Sequence, residues 1–189
     1  MLENDDNDVS GPCEISSVNE EVLFQIGKLR YNCWEGEGAL DVSLFPDEIW
    51  VDDMDRGPLA RHWVVTHLRT NSIVGAARLT WHASVEDDYR DVKLWREKGL
   101  KLYAPVIDFG RLVVRQDFRR RGIARSLVVA RIQAAKEWCH NNQKAKTCVC
   151  TASKANLKML QELGFVDIGQ TAIFADRPRT VFHALQLDL

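Results

Sequence analysis

An apolar run, Leu112-Val113-Val114, is followed by a short polar stretch and then by Arg119-Arg120-Arg121-Gly122-Ile123-Ala124, where a glycine opens an amphipathic segment marked by Ile123, Leu127, Ala130, Ala134 and Trp138. A strand, a tight glycine turn and a helix in that order present backbone N–H donors to an anion. The N–H groups of a first helical turn lack intrahelical partners and lie at the positive end of the macrodipole, so a phosphate there gains hydrogen bonds and favourable charge together. Gly122 and Ala124 leave room for a pyrophosphate to approach the backbone, and Arg119, Arg120, Arg121 and Arg125 surround it with charge. The turn is not a Walker loop, because Gly-x4-Gly-Lys-Ser/Thr is absent. Nor is it a dinucleotide fingerprint, because the first two glycines of Gly-x-Gly-x-x-Gly are missing. The expected ligand carries phosphate.

Around this element the chain reads as alternating helices and strands. Ser17-x-x-Glu20 is a capping-box pattern, and Val22, Ile26, Leu29 and Cys33 follow at helical spacing, which predicts a helix over 18–34. A loop with Gly36, Gly38, Pro46, Gly57 and Pro58 comes next. The runs 62–68 and 73–79 then flank the turn Arg69-Thr70-Asn71-Ser72 as an antiparallel hairpin. Ser84-x-x-Asp87 predicts a cap for a helix through Lys98, and Tyr103 to Val114 reads as a long strand interrupted by Asp108, Gly110 and Arg111. The helix from Gly122 fades at His140-Asn141-Asn142, a strand covers Lys146 to Thr151, and a helix covers Asn156 to Leu163 with Gly164 behind it. A closing hairpin, 166–174 and 180–187, turns at Asp176-Arg177-Pro178. This order predicts an α/β (α+β) domain with one mixed sheet and helices on both faces.

The 189 residues, 46% hydrophobic and 28% charged, suit one globular domain, and no window approaches the roughly eighteen uninterrupted apolar residues of a membrane span. Residues 1–21 hold seven acidic side chains and no Lys or Arg, and setting these aside leaves 25 basic residues against 20 acidic ones. That bias of about +5 suits an anionic ligand and is too small to argue for nucleic acid. Residues 1–16, polar and acidic, are expected to be a disordered leader, with the domain over 17–189. The beginning of the chain has neither a basic nor an apolar signal segment, so a cytoplasmic location is expected. Five cysteines, odd in number and without a Cys-x-x-Cys pair, point away from a disulfide framework and from a metal site.

Arg119-x-x-Gly122-x-Ala124 resembles the Arg/Gln-x-x-Gly-x-Gly/Ala signature of the GCN5-related N-acetyltransferase (GNAT) superfamily. Downstream, Asn156-Leu157-Lys158-Met159-Leu160-Gln161-Glu162-Leu163-Gly164-Phe165 is similar to its second signature, and Gly75-x-x-Arg78-Leu79 to its hairpin strand. The resemblance covers roughly residues 20–189. It implies a mostly antiparallel sheet with a splayed central cofactor cleft and an acyl-coenzyme A, most simply acetyl-coenzyme A, as co-substrate. Carried over by position, the backbone of Leu112, Val113 and Val114 would pair with the pantetheine amides. Arg119, Arg120, Arg121, Gly122, Ile123 and Ala124 would hold the pyrophosphate, and Asn156 would reach the pantetheine arm. The acceptor would be an amine of a small molecule or a protein; a homodimer stays open.

Acyl transfer to an amine needs a proton acceptor, since an amine of pKa near 10 is mostly charged at neutral pH. Asp108 lies where histone-acetylating members of the superfamily place a basic glutamate, so it is the candidate base, acting through water because aspartate is short; a carboxylate in an apolar run is equally explained by pairing with Arg78 or Arg111. The superfamily's usual acid is a tyrosine at the position held here by Leu160, which leaves Tyr103, Ser153 and Cys150 as candidates. Cys148 and Cys150 alternate on a strand, so a covalent acyl-cysteine route is an option in principle.

A second resemblance lies in the front half. Arg30, Trp34, the cluster Asp52-Asp53-Met54-Asp55, Arg78 and the pair Asp108-x-x-Arg111 occur in the order seen in acyl-homoserine-lactone and N-acyl amino acid synthases. It implies Trp34, Arg78 and Arg111 at the substrate and long-chain acyl transfer as the alternative activity. The other reading of the same residues is a core with an ordinary ion-pair network. A third option, motivated by Leu160, is an acyl-coenzyme A binding module without catalysis.

Overall fold

The computed structural model describes residues 8–15, 19–84, 86, 90–142 and 147–189. A seven-stranded sheet has the order β1-β2-β3-β4-β5-β7-β6, with β1 at Cys13–Ile15, β2 at Ala60–His67, β3 at Ser72–His82, β4 at Val106–Val114, β5 at Thr147–Ser153, β6 at Val166–Phe174 and β7 at Arg177–Leu187. All neighbours run antiparallel except β4 and β5. The helices are α1 (Glu20–Glu35), α2 (Asp53–Arg56), α3 (Arg90–Glu97), α4 (Ile123–Asn142) and α5 (Lys154–Glu162).

Successive strand residues point to opposite faces. On one face α4 sets Ile123, Leu127 and Val128 in a core with Val65, Val74, Ala77 and Phe109, and α5 adds Leu160. On the other face α1 lays Ile26, Leu29 and Cys33 on Val64, Ala76 and Val113. There α3 buries Val92 with Val106 and Val149, and Trp95 with Ala172 and Ala184. The expected mixed sheet with helices on both faces is therefore the observed architecture.

Several local expectations shift. Asn19 is the cap of α1, its side chain accepting from the Val22 N–H at 2.9 Å; the pattern at Ser17 lies outside the described residues, as do Asp87 and Lys146. Residues 8–15 of the expected leader lie among the described residues. Cys13–Ile15 pairs with β2, Val9 bridges His67, and the Asp8 carboxylate meets both His67 Nε2 and Arg69 Nε at 2.9 Å. Such pairing runs through backbone groups and leaves little trace in composition. In the loop after α1, a 3-10 turn at Val42–Leu44 and the helix α2 replace irregular chain, α2 being held by a reciprocal Asp52–Asp55 capping box.

Two features position the site. The parallel pairing of β4 with β5 runs only through Val106↔Thr147, Ile107↔Cys148 and Asp108↔Val149, while β5 stays paired with β7 to Ser153. Between Gly110, opposite Arg78, and Val113, opposite Ala76, β4 carries a bulge, with Arg111 in the left-handed region at φ 57°. A bulge bends its strand and re-aims a side chain. Beyond it the two central strands part, opening a cleft at the middle of the sheet.

The second feature is the approach of the 49–51 segment to α1. The Trp50 N–H donates to the Gly27 carbonyl at 3.1 Å. A Cβ at Gly27 would lie 2.6 Å from Ile49 Cγ2 and 2.7 Å from Val51 Cγ2, β-branched methyls with little room to turn. Gly27→Val is therefore expected to cost about 1–3 kcal/mol through overpacking, read from urea unfolding. A change below about 0.5 kcal/mol contradicts this account of the Trp50 segment.

Candidate active site

A cleft of about 430 Å³ runs between the parted strands and the turn before α4. It is lined by Leu112, Val113, Val114, Arg119, Arg120, Gly122, Ile123, Ala124 and Arg125, and by Ser153 and Asn156 at the start of α5. Gly122 has φ 80°, its carbonyl accepts from the Ser126 N–H at 3.0 Å, and a Cβ built on it would meet nothing within 4 Å. It thus caps α4 in a left-handed conformation that suits glycine and leaves the helix N-terminus open. Arg119 is anchored by Nε to the Val114 carbonyl at 3.0 Å and pairs with Glu37 at 2.7 Å. Arg121, expected at the pyrophosphate, does not line the cleft. Its Nη2 donates to the Asp117 carbonyl at 3.3 Å and its guanidinium stacks on Phe118. Arg120, with φ 67°, and Arg125 line the cleft in its place.

A smaller, deeper cavity of about 50 Å³ adjoins the cleft and shares Trp34, Leu112, Val113, Ser153 and Asn156 with it. Arg30, Arg111, Arg131 and Arg177 line it with Trp50, Phe109 and Phe182, and among the described residues no Asp, Glu or His does. Behind it lies the cluster anticipated from the order of residues. Asp55 pairs with Arg30 at 2.7 Å and Arg78 at 2.8 Å, and Asp52 pairs with Arg78 at 2.6 Å and with Arg111. Arg30, Arg78 and Asp55 are almost wholly buried. Burial alone would raise the Asp55 carboxyl, but the Arg30 and Arg78 charges outweigh it and hold it well below the ordinary carboxylate range. Burial, then Arg30, lowers His62 to about 4, so it stays neutral at pH 7. Of the three side chains expected at the substrate, Trp34 and Arg111 reach a cavity. Arg78 does not, because its guanidinium is turned back into the ion cluster.

The proton-transfer candidates separate equally clearly. Asp108 is fully buried and lines neither cavity. Loss of water first, and Asp91 second, push its carboxyl up to about 7 against the opposing charges of Arg78, Arg111 and Arg131. Cys150 lines the deep cavity, but burial pushes its thiol up to about 12 and Sγ donates to the Phe109 carbonyl at 3.3 Å, so it is no thiolate nucleophile. Cys148 is wholly buried, Tyr103 is exposed and lines neither cavity, and Leu160 closes the deep cavity as an apolar wall. Ser153 lines both cavities and, as the cap residue of α5, spends no side-chain hydrogen bond on capping.

Sequence reasoning missed Trp50 and Arg177. The second falls in the expected turn Asp176-Arg177-Pro178, whereas it opens β7 and points its guanidinium among four rings. An arginine inside an aromatic-rich closing hairpin was the available signal.

A family model described as N-acyl amino acid synthase FeeM matches residues 25–180. No curated protein sequence matches the chain. Among solved structures, FeeM, an N-acyl amino acid synthase from uncultured soil microbes, superposes with a TM-score of 0.63 at 15% identity, covering 94% of this chain and 90% of that one. BjaI, a CoA-dependent acyl-homoserine lactone synthase solved with SAM and isopentyl-CoA, gives 0.66 at 22% identity over 94% and 82%. ElaA of Escherichia coli gives 0.59 at 15% over 95% and 99%. At these identities the likeness establishes the fold.

The raised Asp108 carboxyl has a consequence for stability. A carboxyl whose folded pKa, about 7, exceeds its ordinary value of 3.8 holds its proton better folded than unfolded, so its contribution falls as pH rises through that window. Urea unfolding of Asp108→Asn should therefore show the variant gaining stability relative to the wild type between those two pH values and keeping a level difference above them. A level difference throughout would contradict the assignment.

Proposed function

The chain belongs to the N-acyl amino acid synthase family of FeeM, and on that premise we propose that it moves a short acyl group, acetyl being the simplest, from coenzyme A to the amine of a small acceptor. The single observation that carries the proposal is the cleft where β4 leaves β5. Its floor is the β4 backbone at Leu112, Val113 and Val114, and its mouth is the open N-terminus of α4 behind Gly122. Pantetheine would pair with the strand and its pyrophosphate would meet the α4 N–H groups, Arg119, Arg120 and Arg125. A long acyl chain is disfavoured because the space beyond the cleft is only about 50 Å³ and is lined by four arginines.

In the proposed reaction the acceptor nitrogen attacks the thioester carbonyl carbon, the C–N bond forms, and the C–S bond breaks. The nitrogen loses a proton to water and the coenzyme A sulfur leaves as thiolate. Among the described residues no carboxylate or imidazole lines the deep cavity, so the amine must react as its neutral fraction and the rate should follow its own ionisation. The departing thiolate would meet the Ser153 hydroxyl and the positive end of α5, where Ala155 and Asn156 also line the cleft.

Calorimetric titration with acetyl-coenzyme A should give saturable binding that weakens at least tenfold in Gly122→Glu, which places a carboxylate where the pyrophosphate would lie. Gly122→Asn, a residue that tolerates a positive φ, should lose much less. Equal affinity of the Gly122→Glu protein for acetyl-coenzyme A would sink the proposal.

A further inference from the structure

Arg131, midway along α4, lines the deep cavity and is only 1% exposed. The other three arginines of that cavity each pair with a carboxylate, Arg30 with Asp55, Arg111 with Asp52 and Arg177 with Asp176. Arg131 forms no ion pair among the described residues. Backbone carbonyls hold it instead: its Nε donates to Leu127 at 3.2 Å, and its Nη1 donates to Arg78 at 2.9 Å and to Gly110 at 3.1 Å. The Phe109 ring centre lies 5.4 Å from its guanidinium carbon, and its Nη2 has no hydrogen-bond partner among the described residues. Loss of water lowers the guanidinium to about 10, which still leaves it a cation at pH 7. A buried cation without a paired carboxylate is costly, and neutral carbonyls fix its direction without cancelling its charge.

Its place along the cleft is a second, independent observation. Gly110 stands opposite Arg78 at the near side of the β4 bulge, just past Asp108, where the pairing of β4 with β5 ends. Arg131 therefore sits in the gap at the point where the central strands part. A carrier with its pyrophosphate at the α4 turn and its pantetheine along Val114 to Leu112 would bring its thioester to Gly110 and Arg111. The cleft and the deep cavity meet beside this point, since Leu112 and Val113 line both.

Resting on the acyl-transfer reading above, we infer that Arg131 is a catalytic residue whose Nη2 donates to the thioester oxygen and stabilises the negative charge that develops there. As the acceptor nitrogen attacks the carbonyl carbon, the C–N bond forms and the carbonyl π pair moves onto the oxygen facing Arg131. That pair returns as the C–S bond breaks, the sulfur leaves with the bonding electrons as the coenzyme A thiolate, and the nitrogen gives its proton to water. A donor already fixed by backbone carbonyls needs no reorientation during the step, and a cavity closed to water strengthens its charge. Because the full oxyanion exists only in the transition, Arg131 acts on kcat and not on the affinity for coenzyme A.

Infrared difference spectra of bound acetyl-coenzyme A, isotope-labelled at its carbonyl carbon, read that bond directly. The wild type should move the carbonyl stretch below its position for acetyl-coenzyme A in water, and Arg131→Met should abolish the shift. Thiol release is then followed with a panel of small primary amines, and kcat should fall about a hundredfold in Arg131→Met. Calorimetry should show its Kd for coenzyme A, which lacks the acyl oxygen, unchanged. Arg131→Lys, which keeps the cation without the planar fork, should fall between in both kcat and shift. An unshifted stretch in the wild type overturns the inference even where a variant does not fold, and so does an unchanged kcat in Arg131→Met. A loss in Arg131→Met confined to malonyl-coenzyme A, with acetyl turnover intact, would overturn it by assigning Arg131 to a carboxylate on the acyl group. Failure of the wild type to bind acetyl-coenzyme A would reject the acyl-transfer reading and this inference together, whereas binding with an unshifted stretch rejects this inference alone.

Discussion

The site depends on where one strand stops pairing. β4 and β5 share three register positions, ending at Asp108 and Val149, and then separate because β4 bulges around Arg111 while β5 stays with β7. Strand backbone carries an N–H and a carbonyl at nearly every residue, and these groups seek partners once they leave the ladder. Protein groups take some of them. The Gly110 carbonyl accepts from Arg131 Nη1 at 3.1 Å, and the Val114 carbonyl accepts from Arg119 Nε. The rest of the exposed strand faces the cleft, which is why a ligand with amides along its length suits it. The same bulge puts Arg111 in a left-handed conformation that costs a non-glycine residue about 1–3 kcal/mol, and this strain turns its side chain toward Trp50 and Asp52.

Buried charge at the back of the site sets the second constraint. Arg30, Arg78 and Arg111 pair with Asp52 and Asp55 in a region largely closed to water. An arrangement of this kind is weak evidence for stability, since desolvation opposes Coulomb attraction, but it fixes geometry firmly. The short helix α2 exists to deliver both carboxylates, through the Asp52–Asp55 capping box.

Local chemistry was the legible part. The Arg119 to Ala124 turn, the helix after it and the similarity of the Asn156 to Phe165 stretch could be read because each is a short contiguous pattern whose physics is set by neighbours in sequence. The order Arg30, Asp52, Asp55, Arg78, Arg111 was also readable, and the structure brings these residues into one cluster. Which of them lines the deep cavity was not. Arg78 and Arg111 differ by the bulge, and Arg121 differs from Arg120 by one left-handed residue, neither of which has a sequence signal. Asp108 stood out as a carboxylate in an apolar run, yet β4 is covered on both faces, so alternation could not assign it to the cleft or the core. Arg177 looked like a turn residue because its partners, Trp34 and Trp50, are distant in sequence and reach it only through the packing of α1 and the Gly27 contact.

The central claim is that the β4 backbone beyond the bulge is the binding edge for the acyl carrier. Amide hydrogen exchange of the protein with and without coenzyme A tests it most directly, because it reads backbone hydrogen bonds in place. The account predicts added protection at Leu112–Val114 and at the first turn of α4, Ile123 to Arg125, with β2 and β6 unchanged. Protection confined to the arginine side of the α4 turn, with residues 112–114 exchanging as before, would contradict it.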